Sequence, residues 1–287
     1  MASLETVPQV NHQAGAHAGL PGTPVLSFDG VTLRFDDRAV LSNISFSVDA
    51  GQTRVIMGAA GAGKTLLLKH AIGLLCPDLG SVRLLGDEIT HLNERELYPL
   101  RRHVGVLFQE GGLFDSLTVA DNVAYPLRYQ PDRAFSDAAI LDKVREALNF
   151  VGLSRVMDKY PSEISGGMRR RVGIARAAVA KPPLMLYDSP TAGLDPITAN
   201  RIMALAVRQR ALARTTFLVV THRKQDGVIL ARYTYDPEAG KLEPSDDVAG
   251  RTAFMILREG RLVFEGSEAE LQSSTDPYVS RFAWKPA

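Results

Sequence analysis

The stretch from Val55 to Thr65 constrains this chain more than any other. An apolar run, Val55-Ile56-Met57, leads into Gly58-Ala59-Ala60-Gly61-Ala62-Gly63-Lys64-Thr65, which reads as strand, loop and helix start. The spacing is G-x-x-x-x-G-K-[ST]. Small residues let backbone N–H groups curl around phosphate oxygens, and the following helix points its positive end at them. Lys64 is placed to reach the β- and γ-phosphates, and Thr65 to offer its hydroxyl to Mg²⁺. Leu66-Leu67-Leu68 predicts the buried face of the helix that holds the loop. The pattern therefore predicts a nucleoside triphosphate site.

The remaining composition narrows the partners. A chain of 287 residues with 45% hydrophobic and 23% charged content has room for one large domain or two small ones with ordinary cores. Lys and Arg number 33 against 32 Asp and Glu, so no bulk field favours nucleic acid or an anionic membrane. The run Arg169-Arg170-Arg171 accordingly reads as a solvated or subunit-facing surface. Cys76 is the single cysteine; it excludes an intramolecular disulfide, fits a reducing compartment and is expected as a small core residue. Residues 1–22 lack a basic start and a continuous apolar core, so they predict a disordered tail rather than a secretory signal. No run reaches the roughly 18 apolar residues of a membrane helix, which leaves a soluble or peripheral chain whose membrane role goes through partners.

Taken in order, Val31 to Phe35, a turn at Asp36-Asp37-Arg38, and Ile44, Phe46 and Val48 alternating with polar residues predict antiparallel strands. Phe35, at a strand end, is a candidate for stacking on adenine. Val104 to Phe108 is a strand delivering Gln109, whose carboxamide is a candidate for Mg²⁺ or the attacking water. From Gly111 the pattern turns helical: Ser136 predicts a cap, and Ile140, Leu141, Val144, Leu148 and Val151 one apolar face before Gly152. Ser165-Gly166-Gly167 opens another helix, a second terminus with free backbone donors. The apolar strand Leu184 to Tyr187 delivers Asp188, the expected Mg²⁺ partner of Thr65. Phe217 to Val220 delivers Thr221 and His222 to the same edge, where open α/β sheets bind ligands.

In this order the residues resemble the nucleotide-binding subunits of ABC transporters, from Val25 to Gly266. Phe35 matches the adenine-stacking aromatic, Gly58 to Thr65 the Walker A loop, Gln109 the Q-loop and Ile164 to Met168 the LSGGQ signature. Leu184 to Asp188 matches Walker B, Gly193-Leu194-Asp195-Pro196 the D-loop, His222 the switch histidine and Met255 to Gly266 the closing hairpin. The resemblance implies an α/β P-loop NTPase core with an antiparallel β-subdomain and a helical subdomain, using ATP and Mg²⁺. It also implies a homodimer that sandwiches two ATP molecules, each between one copy's Walker A loop and the other's Ser165 corner. A narrower likeness, carried by Gly112 to Val119, Asn122 to Arg128, Met168 and Thr191 to Thr198, is to the ATPases of Mla/MCE phospholipid-transport systems. It implies permease subunits, an MCE lipid-binding protein, no nucleic acid, and a peripheral location on the cytoplasmic face of the inner membrane. The permease coupling helix is expected at Gly111 to Arg128. A small-solute importer ATPase and a non-hydrolysing ATP-binding regulator remain alternatives.

The domain division expected is a tail at 1–22, a cassette at 23–272 with a helical subdomain at about 111–180, and a tail at 273–287. Three features depart from the family pattern. Ser189 follows Asp188 where the family has the glutamate that polarises water, and Glu110 is a candidate substitute. The stretch of about 230–252 reads as an extended hairpin or loop elaborating the surface. Asp276 to Trp284 carries aromatics without an evident partner in the fold, and the resemblance implies that such tails pack on the other ATPase copy.

Overall fold

The computed structural model describes residues 23–36, 38–129 and 135–284. The expected tail at 1–22 lies outside the described residues. Strands β1 (Leu26–Phe35) and β2 (Arg38–Val48) pair antiparallel, and β4 (Leu79–Leu84) and β5 (Asp87–Glu88) extend this sheet in the order β2-β1-β4-β5. Its apolar residues alternate on either side of an irregularity at Gly30, as a one-sided strand requires: Leu26, Phe28, Val31 and Leu33 are buried on β1. Phe28 lies opposite Phe46 in register, and the two rings stack at 4.6 Å.

The second sheet joins β3 (Thr53–Gly58), β6 (Val104–Leu107), β7 (Leu184–Asp188), β8 (Thr216–Val220), β11 (Thr252–Arg258) and β12 (Arg261–Gly266). Its order is β12-β11-β3-β8-β7-β6, and every pair is parallel except β11 with β12. Both faces are covered, which is why β7 and β8 are buried along their whole length. Alternate residues feed two cores. Met185, Tyr187, Phe217, Val219 and Phe254 face the core shared with the long helices, whereas Leu184, Leu186, Leu218, Val220 and Met255 face the antiparallel sheet.

Helix α1 (Lys64–Ala71) follows β3, and α2 (Glu94–Arg101) precedes β6. Between β6 and β7 lie α3 (Val119–Arg128), α4 (Asp137–Phe150) and α5 (Gly166–Ala178). Ser136 caps α4 by accepting from the Ala139 N–H, and Ile140, Val144 and Leu148 are buried. Leu141, grouped with that face by spacing, is exposed. Helix α6 (Pro196–Ala213) links β7 to β8, and α7 (Lys224–Arg232) follows β8. The stretch after α7 is a hairpin of β9 (Tyr233–Asp236) and β10 (Lys241–Pro244), then α8 (Asp246–Ala249). Helix α9 (Glu268–Ser273) closes the ordered series before the tail.

Three expectations are corrected here. Cys76 is exposed, not core, because it sits where the chain turns from α1 toward β4, with Sγ 3.0 Å from the Thr90 carbonyl. The arginine run is not a solvated surface. Arg169 donates to the Ile164 carbonyl at 2.9 Å, Arg171 to that of Val151 at 3.0 Å, and buried Arg170 to those of Ser189 and Ala192 at 3.1 and 3.0 Å. The guanidiniums satisfy main-chain carbonyls that the loops leave without ladder partners. The tail aromatics do have partners in the same chain: Trp284 meets Phe254 edge-on at 5.4 Å and Tyr278 meets Phe282 at 5.3 Å.

Arg210 fastens the hairpin to the sheet. It donates to the carbonyls of Leu230 at 2.7 Å and Tyr233 at 2.8 Å and to Thr53 Oγ1 at 3.3 Å, and burial pulls its pKa down to about 10. Arg210→Leu would leave these acceptors dry and unpaired, a loss of about 2–3 kcal/mol. Urea unfolding is expected to show that decrease; an unchanged free energy would remove the fastening role.

Candidate active site

The phosphate-type loop is shaped by close backbone approaches. A Cβ on Gly58 would stand 2.4 Å from the Leu257 carbonyl oxygen, so β11 presses on the loop's first residue. Gly63 has φ +100° and caps α1; a Cβ there would meet Leu41 Cδ2 at 2.6 Å, which ties the loop to β2. Between them Ala59, Ala60 and Gly61 are exposed and Ala62 is buried. The Lys64 ammonium is curled into the loop, donating to the carbonyls of Gly58 at 3.0 Å and Ala59 at 2.7 Å. Burial lowers its pKa, opposed by the charge of Asp188. This is a cradle with one cation and the open N–H groups of a helix start, a form complementary to a polyphosphate.

Parallel register brings the other groups to the same edge. Ile56 pairs with Val220 and Asp188 with Val220 on its other side, so β3, β8 and β7 end together. Thr65 Oγ1 donates to Asp188 Oδ2 at 2.9 Å, joining the hydroxyl and carboxylate expected to serve Mg²⁺. Both are hard oxygen donors, and with phosphate oxygens and water they suit this small cation. Ser189, at φ +50°, donates from Oγ to Asp188 Oδ1 at 3.1 Å and from its N–H to the Val220 carbonyl at 2.8 Å. His222 follows β8; desolvation and the Lys64 charge lower its pKa, while Asp188 and a hydrogen bond to the Gly58 backbone raise it. With β8 between β3 and β7, His222 arrives at the edge that carries Lys64 and Asp188. Gln109 is exposed at the start of the turn Gln109–Gly111 after β6, the strand next to β7. The Glu110 side chain lies outside the described residues.

The Ser165 corner is elsewhere. Ser165 and Gly166 are exposed, and the Ser165 hydroxyl caps α5 by accepting from the Met168 N–H at 3.3 Å. A Cβ on Gly167 would meet Thr198 Cγ2 at 2.7 Å, so this corner packs on the start of α6. Asp195 caps that helix, accepting from the N–H groups of Ile197 and Thr198 at 3.0 and 2.9 Å; the Thr198 hydroxyl first, and then these N–H groups, hold its carboxyl below the usual range. No hydrogen bond joins Ser165 or Asp195 to the phosphate-type loop among the described residues.

Sequence reasoning missed two parts of the site. A cavity of about 670 Å³ beside the loop is lined by Arg38, Val40, Ala60, Arg258 and Tyr278. Phe35, half-exposed at the end of β1, is close to it in the chain but is not among its lining residues. Asp226, fully buried, accepts from Thr191 Oγ1 at 2.5 Å and Thr221 Oγ1 at 2.6 Å, linking the segments after β7 and β8. A Thr–Asp–Thr bridge has no local spacing to reveal it.

Cradle, lysine, threonine and strand-end aspartate together define a P-loop nucleotide-binding site of the Mg²⁺–triphosphate class. The ABC transporter family matches residues 41–192. The chain is 39% identical over 268 residues to a probable ribonucleotide transport ATP-binding protein of Mycobacterium leprae, covering 93% of this chain and 71% of that one. It is 32% identical over 261 residues to the intermembrane phospholipid transport ATP-binding protein MlaF of Haemophilus influenzae, covering 90% and 89%. Among solved structures, the dimeric ATP-binding cassette MJ0796 in a post-hydrolysis state with ADP and phosphate aligns with TM-score 0.71 at 27% identity, covering 84% of this chain and 98% of that one. The chain belongs to the ABC transporter family. It is an ATP-binding subunit of a transporter, an ATPase that uses ATP with Mg²⁺.

Burial raises the Asp226 pKa above its ordinary 3.8, while the two threonines and Arg223 pull it down. A raised carboxyl stabilises the fold at low pH, and that contribution is lost as pH rises through the folded-state value. Asp226→Asn cannot ionise, so its stability relative to wild type is expected to rise with pH above about 4. Urea unfolding across that range checks this; parallel curves would contradict it.

Proposed function

We propose that two copies of this chain power phospholipid movement between membranes, beneath permease subunits linked to an MCE-type lipid-binding protein. The observation that carries the lipid assignment is the match to MlaF over 90% of this chain and 89% of that relative. A methionine-import ATP-binding protein of Bifidobacterium longum is 37% identical, but the match covers 57% of its length. Small-solute import is therefore the second reading. The runs Gly112 to Val119 and Asn122 to Arg128, which resemble the Mla/MCE ATPases, favour the first.

ATP is bound by Gly58 to Thr65, with Phe35 against the base, Lys64 on the terminal phosphates and Thr65 with Asp188 toward Mg²⁺. Gln109 serves the metal or the attacking water. The bound Mg²⁺ supplies charge neutralisation at the phosphates. Ser165, Gly166, Gly167 and Asp195 complete the site of the second copy, which accounts for the exposure of Ser165, Gly166 and Asp195 away from their own loop. Support for the dimer is that the related cassette MJ0796 was solved as one.

The permease contacts a groove of about 660 Å³ lined by Tyr98, Arg101, Phe108, Phe114, Tyr125 and Arg176. Phe114 and Tyr125 rings lie 4.6 Å apart, with the Arg176 guanidinium 5.7 Å from Phe114. An amphipathic helix with aromatic and acidic residues suits such a surface. Gln109 adjoins it in the chain, so permease docking and the ATP site are coupled through β6 and its turn.

Hydrolysis is slow because a serine hydroxyl, already donating to Asp188, cannot take a proton from water. General-base catalysis typically contributes about 10²–10⁴ in rate, while positioning and charge neutralisation by Lys64, Asp188 and His222 still operate. Ser189→Glu is expected to raise phosphate release at least about tenfold. An unchanged rate would mean that another group is the base, and a wild-type rate no higher than that of Lys64→Ala, in a wild type that binds ATP, would make the chain a regulator. For the substrate class, co-purification of the full chain is expected to recover a permease with an MCE protein; recovery of a permease with a solute-binding protein would reverse the lipid reading.

A further inference from the structure

The phosphate loop of this chain is held by a residue that none of its motifs contains. Tyr278, beyond α9, reaches back so that its hydroxyl oxygen accepts from the Ala59 N–H at 3.1 Å and its proton goes to the Leu257 carbonyl at 2.9 Å. This is the same carbonyl that leaves no room for a Cβ on Gly58. One hydroxyl thus pins the first corner of the loop to the end of β11. The amide it occupies is the loop's second, leaving those of Gly63, Lys64 and Thr65 at the helix start for an anion.

Tyr278 is itself firmly placed. Asp276 Oδ1 accepts from the N–H groups of Tyr278 at 2.7 Å and Val279 at 2.9 Å, and Val279 is buried. The Arg258 guanidinium lies 5.2 Å from the Tyr278 ring centre, and the Phe282 ring meets it edge-on. Further along, Trp284 packs on Phe254, and Lys224 donates to the Ala283 carbonyl at 2.8 Å. Lys224 opens α7, two residues after His222. The segment therefore fastens to both sides of the nucleotide edge, the loop corner through Tyr278 and the histidine side through Lys224.

We propose that Tyr278 is a positioning residue that preorganises the phosphate loop, so that its hydroxyl sets the affinity for ATP rather than the rate of the chemical step. A corner fixed before the ligand arrives spares the ordering that binding would otherwise require. The inference rests on the loop of Gly58 to Thr65 being the nucleotide site. It assigns to the carboxyl-terminal segment a part in ATP binding within its own chain, independent of any contact with a second copy.

Tyr278→Phe keeps the ring, its edge contact and the arginine over it, and removes only the bridging hydroxyl. In the full chain it is expected to weaken Mg²⁺–ATP binding about three- to tenfold, the scale of one backbone hydrogen bond. KM should rise in the same proportion with kcat at saturating ATP held within about twofold. The thermal midpoint without nucleotide should move by no more than about 3 °C. Tyr278→Ala, which also removes the ring, is expected to bind no better than Tyr278→Phe. Wild-type affinity in Tyr278→Phe would overturn the proposal, as would a loss confined to kcat or one matched by collapse of the nucleotide-free midpoint. Lys64→Ala separates this from the underlying reading: if it binds ATP like wild type, the loop is not the site, whereas failure of the tyrosine prediction alone leaves the site intact.

Discussion

The pairing of β3 with β11 on one side and β8 on the other is the constraint on which the site depends. Parallel strands held in this register end at one edge, and each delivers one group there: the loop from β3, His222 from β8 and Asp188 from β7. A slip of one residue would turn every side chain on a strand to the opposite face. The two cores forbid it, because Val55 and Met57 feed one and Ile56 the other. Site geometry and hydrophobic packing are thus enforced by the same alternation.

The buried lysine shows what that scaffold costs. Lys64 gives up water for two loop carbonyls and the field of Asp188, and desolvation still lowers its pKa. A cation held this way is poised for a stronger anionic partner. A triphosphate offers Lys64 a full anionic partner where the loop itself offers two carbonyls, so loop conformation and ligand suit one another. Ser189 sits on the same edge with its hydroxyl turned onto Asp188, and in the proposed mechanism it stands where a carboxylate would sharpen turnover.

What was legible in the sequence followed from local pattern. Gly58, Gly63 and Lys64 are fixed by loop shape, and Asp188 and His222 were found because each ends an unmistakably apolar strand. The antiparallel strands around Phe28 and Phe46 and the capped helix at Ser136 were equally local. Misreadings arose where a side chain answers a distant backbone group. The buried guanidinium of Arg170 satisfies the turn after β7, Tyr278 reaches across more than two hundred residues of sequence to Ala59, and Asp226 bridges two threonines from the segments that follow different strands. Composition makes arginines surface residues and tail aromatics orphans; only tertiary structure supplies the carbonyls and amides they serve. Ser165 lies between these cases, since its helix start was readable but the ligand proposed for it belongs to a surface shared between copies.

That shared surface is the central claim, and sedimentation velocity of the full chain tests it most directly. With Mg²⁺ and ATP present, the sedimentation coefficient is expected to move from monomer to dimer as protein concentration rises. The shift should be lost when Ser165 is replaced by arginine, a change at an exposed cap that leaves the phosphate loop of the same chain untouched. A chain that binds ATP yet sediments as a monomer at every concentration, or a Ser165→Arg variant that dimerises like wild type, would contradict the account.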